Sequence, residues 1–338
     1  MDLTYYSELP GFLDNENSLH KIDSISKLSE QYHFTGTLIF HHHGSMDPWY
    51  LASRVLHTTT KLIPLVATQP YSIPPFSVVK ALSTISNLLH RKVNLNLITG
   101  VSEMELSSVH QTTDPTMKYA RLEEYIRVLK GLLHSKEPLT FDGNYYKFNK
   151  LRLAPYIQQE HIPELFVPGS SKDSIRIAQA HGDTALLRPA PIHSFKEEYC
   201  SRFNTDSVNL GIRVSVISRS NSGEAWEAAR RKFPANRSGV VKAKIRKNML
   251  SHNTKLMADL ALSGEVYDNI YWMGAYLNGL TEDPFLVGSY EEVAAYLQKY
   301  VNCGVTTFLF GDLNTEQDFI HINKTLRMLE TLRKEAIS

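Results

Sequence analysis

Along this chain, short runs rich in β-branched and apolar residues alternate with longer stretches of helical period. The runs at Leu3–Tyr6, Gly36–Phe40, Lys61–Ala67, Val93–Leu97, Glu164–Val167, Thr184–Leu187, Leu210–Ile217 and Thr306–Phe310 read as eight buried strands. Helices are predicted over Ser18–Tyr32 with Ser18 as N-cap, Pro48–Leu56, Phe76–Leu89, Lys118–Leu133, Ser171–His181, Glu224–Lys232 capped by Ser222, Tyr290–Tyr300 and Thr315–Leu332. Every crossover is long enough for parallel pairing, so the expected sheet is parallel and covered by helices. Eight is the closure number of the (β/α)8 TIM barrel, the fold class predicted here. A doubly wound sheet is the alternative, but no G-x-G-x-x-G follows the first strand. No linker or shift in composition divides the chain, so residues 1–338 read as one barrel domain. Two departures from the rhythm are expected. Thr140–Phe148, with Asp142-Gly143-Asn144 between aromatic residues, carries a hairpin signal. Gly239–Gly288, rich in Lys, Met, Asn and Gly, reads as a partly helical insertion between strands seven and eight.

Composition narrows the function classes. A formal net charge of +1 gives no overall footprint for nucleic acid or acidic membranes, and 42% hydrophobic residues suffice for a full core. Cys200 and Cys303 are too few for a disulfide scaffold, and neither is placed like a nucleophile. No stretch approaches a membrane span and residues 1–30 lack a signal-peptide core, so a soluble, cytoplasmic protein is expected.

In a barrel of this kind, chemistry sits where strands end and the following loops begin. The residues there are His41-His42-His43-Gly44-Ser45, Thr68-Gln69, Thr99-Gly100, Pro168-Gly169-Ser170-Ser171, Arg188, Arg213 with Ser215, and Gly311-Asp312. Gly169-Ser170-Ser171 joins a strand to a helix N-terminus, where free N–H groups and the helix dipole suit a phosphate; a tight turn with a Ser N-cap is the plainer alternative. Three adjacent histidines invite a metal, yet neighbours in extended chain point to opposite sides and no carboxylate partner stands at a familiar spacing, so no metal site is assigned. His41 and His43 are instead read as pocket-lining residues beside Thr68 and Gln69. Arg213 lies within Gly-Ile-Arg-Val-Ser-Val-Ile and points the same way as Ser215. Facing inward it needs an anion, such as a substrate group or phosphate; facing outward it would pair with a helix. Asn96 and Thr99 end strand four, where they either bind a flat heterocycle or cap the strand.

Asn96-Leu97-Ile98-Thr99-Gly100, then Tyr119, Phe141-Asp142-Gly143 and Gly169-Ser170-Ser171 occur in an order and spacing that resembles the bacterial luciferase-like flavin monooxygenases, most closely the alkanesulfonate monooxygenase branch. The likeness covers most of the chain and weakens between about 240 and 283, where that family has a mobile loop over its active site. The resemblance implies a (β/α)8 barrel, homodimerisation and reduced FMN (FMNH2) delivered by a separate NAD(P)H:flavin reductase. O2 would oxidise a small-molecule or carrier-bound substrate through a flavin–oxygen adduct. By the same resemblance, Gly169, Ser170 and Ser171 would hold the FMN phosphate, Tyr119 the ribityl or phosphate part, and Asn96 and Thr99 the isoalloxazine edge. Catalytic positions would fall on Ser45, His43, Arg213 and Asp312. The sulfonate branch has cysteine at Ser45, histidine at Ser215, tyrosine at Asp312 and a loop arginine where Asn278 is nearest. The implied activity is therefore an oxygenation other than desulfonation, with Asp312 suited to a cationic or amine substrate. An F420-dependent hydride transfer and a non-catalytic flavin-binding barrel are the alternatives.

Overall fold

The computed structural model describes residues 2–11, 18–100, 103–200, 202–203, 207–247 and 252–337. Its strands are β1 (Thr4–Glu8), β2 (Gly36–Ile39), β3 (Ile63–Thr68), β4 (Asn94–Leu97), β5 (Leu139–Asp142), β6 (Lys147–Leu151), β7 (Leu165–Pro168), β8 (Thr184–Leu187), β9 (Asn209–Arg219), β10 (Val266–Tyr267), β11 (Tyr271–Trp272), β12 (Phe285–Ser289) and β13 (Val305–Gly311). β1, β2, β3, β4, β7, β8, β9 and β13 pair side by side in parallel, and β13 pairs back to β1, closing an eight-stranded barrel. The predicted fold class is thus the observed one.

The helices are α1 (Ser18–Gln31), α2 (Pro48–Thr58), α3 (Pro75–Leu89), α4 (Glu103–Ser108), α5 (Pro115–Leu133), α6 (Lys172–His181), α7 (Ile192–Phe195), α8 (Ser222–Lys232), α9 (Arg237–Arg246), α10 (His252–Ser263), α11 (Gly274–Leu277), α12 (Tyr290–Val301) and α13 (Glu316–Ile337). Their starts follow local chemistry. α2 opens on Pro48 behind Asp47, whose carboxylate accepts from the Tyr50 N–H at 2.8 Å. α5 opens in the same way on Pro115 behind Asp114, three residues before the predicted Lys118, because the Asp–Pro pair is the stronger start signal. α8 is capped by Asn221 rather than Ser222, since the Asn221 amide oxygen accepts from the Glu224 N–H at 2.9 Å. Residues 12–17, just ahead of Ser18, lie outside the described ones, as does the side chain of Cys200.

β5 and β6 form the expected hairpin, and the α5 residue Glu124 closes it by accepting from the N–H groups of Asn144 (2.9 Å) and Tyr145 (2.8 Å). The insertion is more structured than its composition suggests. β10, β11 and β12 extend the sheet, with β12 parallel to the distal half of β9. Trp272, Phe285 and Val287 form a small core of their own with Phe233 of the α8 C-cap and Ala225 and Ala229 of α8. Residues 248–251 of this segment lie outside the described ones. Among the described residues no helix is long and apolar enough to cross a membrane.

Candidate active site

Strand alternation decides what the barrel presents at its mouth. Tyr6, Leu38, Leu65, Phe166, Leu186 and Leu309 pack together as a plug inside the barrel, and the Asn94 amide donates to the Tyr6 hydroxyl at 3.0 Å. Two residues further along the strands, the same inward parity reaches Glu8, Phe40, Asn96 and Gly311. Arg213 stands level with Leu309, and Ser215 level with Gly311. The apolar plug lies directly beneath these side chains, so any charge among them must be paired within the protein.

Arg213 faces inward and is largely enclosed, with its side chain 17% exposed. Its anionic partners belong to the chain itself. The Nε and Nη2 groups donate to Glu8 Oε2 at 3.0 and 2.9 Å, and Nη2 also meets Asp283 Oδ2 at 2.8 Å. The guanidinium lies over the Phe40 ring, 4.8 Å from its centroid. Two carboxylates hold Arg213 firmly in its charged form, although burial opposes it. Burial pushes the Glu8 carboxyl upward against the pull of Arg213. The pairing continues outward: Asp283 Oδ1 meets Arg188 Nε at 3.3 Å, Glu282 meets Arg188 at 3.4 Å, and Glu282 meets Arg246 of α9 at 3.2 Å. Three cations and three carboxylates therefore run in one chain from the barrel interior to the insertion. Gly311 makes room for it, because a Cβ there would stand 2.7 Å from both Glu8 Oε1 and Ser215 Oγ.

Asp312 follows Gly311 in the left-handed region at φ 63°. Its carboxylate pairs with Lys232 Nζ at 2.6 Å and accepts from the Asn314 amide at 2.9 Å. Its own N–H donates to Glu8 Oε1 at 3.3 Å. Burial raises its carboxyl pKa, and Lys232 opposes the rise. The negative charge of Asp312 is thus already answered by a lysine.

A second constellation sits at the start of α6. Gly169 adopts φ 125°, and a Cβ there would stand 2.9 Å from the Ser174 side chain and 3.7 Å from the Tyr119 hydroxyl. The Ser171 hydroxyl donates to the Tyr119 hydroxyl at 3.1 Å and accepts from the Ser174 N–H at 3.2 Å, so Ser171 is also the N-cap of α6. Ser170 is buried beside them. The structure thus gathers Gly169, Ser170, Ser171 and Tyr119 from two distant segments into a cradle without a Cβ at a helix N-terminus.

The remaining predicted residues spread over the rim. Asn96 is buried with its Oδ1 lacking a hydrogen-bond partner among the described residues. Thr99 is half-buried beside Gly100, which takes φ 85°. The Thr68 hydroxyl donates to the Val66 carbonyl at 3.1 Å, and the Gln69 amide donates to the His41 carbonyl at 3.4 Å. Burial lowers the pKa of His41. The exposed His43 instead donates its N–H to Glu105 at 2.9 Å. Ser45 closes a turn by donating to the His42 carbonyl at 2.8 Å. It also lines a cavity of about 180 Å³ with Leu9, Gly11, Ile39, Phe40 and Met46. Among the described residues, no group of three or more His, Cys, Asp or Glu is placed to hold a metal.

Glu8, Asp283, Glu282 and Arg246 escape the sequence reading. The sequence predicts a first strand ending at Tyr6, but β1 continues to Glu8. The period-two step from Tyr6 would have pointed to it. The Glu282-Asp283 pair lies in the insertion, where no periodicity assigns a direction.

An eight-stranded parallel α/β barrel with its polar residues collected at the strand ends defines an enzyme scaffold. Residues 4–307 match the family model described as luciferase-like monooxygenase, and the chain belongs to that family. It is accordingly an oxidoreductase that uses O2. A curated relative, the 4-(gamma-L-glutamylamino)butanoyl-[BtrI acyl-carrier protein] monooxygenase BtrO of Niallia circulans, is 34% identical over 326 residues, spanning 95% of this chain and 96% of the relative. DmoA from Hyphomicrobium sulfonivorans shares the fold with a TM-score of 0.76 at 15% identity, over 99% of this chain and 88% of its own. An F420-dependent secondary alcohol dehydrogenase superposes with a TM-score of 0.67 at 15% identity, over 97% of this chain and 99% of its own. The fold alone therefore does not choose the cofactor.

Proposed function

We propose that this chain is a two-component monooxygenase that binds FMNH2 from a separate NAD(P)H:flavin reductase and hydroxylates an acyl group held on an acyl-carrier protein. The observation that carries the flavin reading is the α6 cradle. Gly169 leaves space for close approach of a phosphate, the helix N-terminus favours its charge, and Ser171 and Tyr119 offer hydroxyls. The unpaired Asn96 Oδ1 is a ready acceptor for an N–H of the isoalloxazine edge. FMNH2, when bound, supplies the two electrons with which one oxygen atom enters the substrate and the other leaves as water. The chain's own residues position the reactants and exclude solvent, the apolar plug closing the barrel from below.

The substrate class draws on the relative that acts on a carrier-bound acyl group. It agrees with the charge state of the mouth. Both carboxylates beside Arg213 neutralise it, which leaves no free cation beside it for a sulfonate among the described residues. Anaerobic titration with FMN and FMNH2, followed by flavin fluorescence, tests the cofactor. Much tighter binding of FMNH2 is expected, and binding of F420 with none of FMNH2 would sink the reading. Oxygen uptake with FMNH2 should then rise with an acylated carrier protein and yield a product heavier by one oxygen atom.

A further inference from the structure

Between Glu227 and Asp259 the chain carries nine lysines and arginines and no acidic residue, although the whole protein has a net charge of only +1. The described part of this run forms the end of α8, all of α9 and the start of α10, which carries Lys255. Arg230, Arg231, Lys242, Lys244 and Lys247 are exposed there. Four of the cations are answered: Arg231 by Glu227 at 2.6 Å, Lys232 by Asp312 at 2.6 Å, Arg246 by Glu282 at 3.2 Å and Lys247 by Asp259 at 2.7 Å. Lys242 and Lys244 form no ion pair among the described residues. On the same helix Val241 and Ile245, one turn apart, are each 58% exposed, and Val240 is 38% exposed. A basic face interrupted by bare aliphatic side chains is unsuited to water alone and suits an acidic protein helix with its own apolar spots.

The position of this face matters as much as its charge. Arg246, at the end of α9, is the outermost member of the ion-pair chain that leads through Glu282, Arg188 and Asp283 to Arg213. Gly239, near the start of α9, is pressed against the backbone of Leu277–Gly279, and the Asn278 amide donates to the Phe233 carbonyl at 2.8 Å. The helix is therefore anchored at the rim of the barrel mouth.

We propose that α9, with the end of α8, is the docking surface for the acidic face of an acyl-carrier protein, placed so that the tethered acyl group enters the barrel mouth. This rests on the carrier-bound substrate reading, which has its own test. Binding of a fluorescently labelled acidic acyl-carrier protein is measured by anisotropy with the full-length enzyme. The Lys242→Glu/Lys244→Glu variant should weaken binding by about tenfold or more, and rising salt should weaken wild-type binding similarly. Lys242→Arg/Lys244→Arg should restore it. Lys21→Glu/Lys27→Glu on α1, which packs against α2 and α13, should leave it unchanged. Absence of binding, or equal loss in the α1 variant, overturns the docking site. So does tighter binding of duplex DNA or phosphatidylglycerol vesicles, or conversion of a dimer to monomer by the α9 variant. Turnover is read separately: binding that depends on Lys242 and Lys244 without oxygenation of the acyl group would keep the surface and remove the substrate assignment. A KM increase for the acylated carrier, but not for the same acyl group on pantetheine, is the expected result.

Discussion

Arg213 shows how a single enclosed charge dictates its surroundings. A guanidinium above an apolar plug is tolerated only with nearby anions, and Glu8 of β1 and Asp283, just ahead of β12, supply them from segments far apart in sequence. Arg213→Met would leave Glu8 without its cation and Asp283 with Arg188 alone. We expect it to cost about 3–5 kcal/mol in urea unfolding, with part of the loss recovered when Glu8→Gln is added. Gly311→Ala, by pushing a methyl group against Glu8 and Ser215, should lower kcat by roughly ten- to a hundredfold while FMNH2 binding changes little. Gly169→Ala should do the reverse, raising the dissociation constant for FMNH2 by about tenfold, because its φ of 125° penalises any side chain as the new Cβ meets Ser174. An unchanged FMNH2 affinity in that variant would remove the phosphate role of the cradle. His41 adds a pH dependence. Burial lowers its pKa in the folded state, so the unfolded chain binds more protons once pH falls toward the ordinary histidine value of 6.5. Stability should therefore decline as pH is lowered through that region, and His41→Gln should flatten the decline in a series of thermal melts.

At the level of elements, the insertion behaves as an annex with its own anchor. Trp272 is fully buried between Phe233, Phe285 and Trp226, and its indole N–H donates to Glu265 at 3.0 Å. Gly274 turns directly beneath that indole, where any Cβ would collide with it. Trp272→Ala should cost about 3–5 kcal/mol if the annex unfolds with the barrel. An early, separate unfolding step in the melt would show that it is held independently. The predicted hairpin, the crossover helices and the Asp–Pro helix starts follow from turn and capping chemistry local to each segment. The strands of the annex do not: β10 and β11 are two residues each, too short for a period to declare itself.

Over the whole molecule, closure of the barrel brings the ends of β1, β9 and β13 together and lets β12 join them from the insertion. That closure makes an ion-pair chain out of residues 8, 188, 213, 246, 282 and 283. Because the chain ends at Arg246 on α9, the wild-type coupling between docking and site can be probed at Glu282. Glu282→Gln breaks both outer pairs, and it should raise KM for a carrier-bound acyl group more than it lowers kcat. An effect confined to kcat would place Glu282 with the chemistry instead.

The alternation of short apolar runs with amphipathic stretches determined the barrel, because period and segment length are local quantities that survive in a linear reading. The loops following the strands were likewise legible, with Gly169 and Ser171 read as a helix start suited either to a phosphate or to a Ser N-cap, while Tyr119 of α5 was implied only by the family resemblance. Tertiary structure decided the rest. Whether Arg213 met a substrate, a helix or a carboxylate depended on which strand ends closure brought to it, and on an insertion whose Asp283 has no local signature. Asp312 looked available for a cation until Lys232 arrived from α8. Charges are long-ranged and indifferent to sequence distance, so their pairing is settled only when the chain has closed on itself.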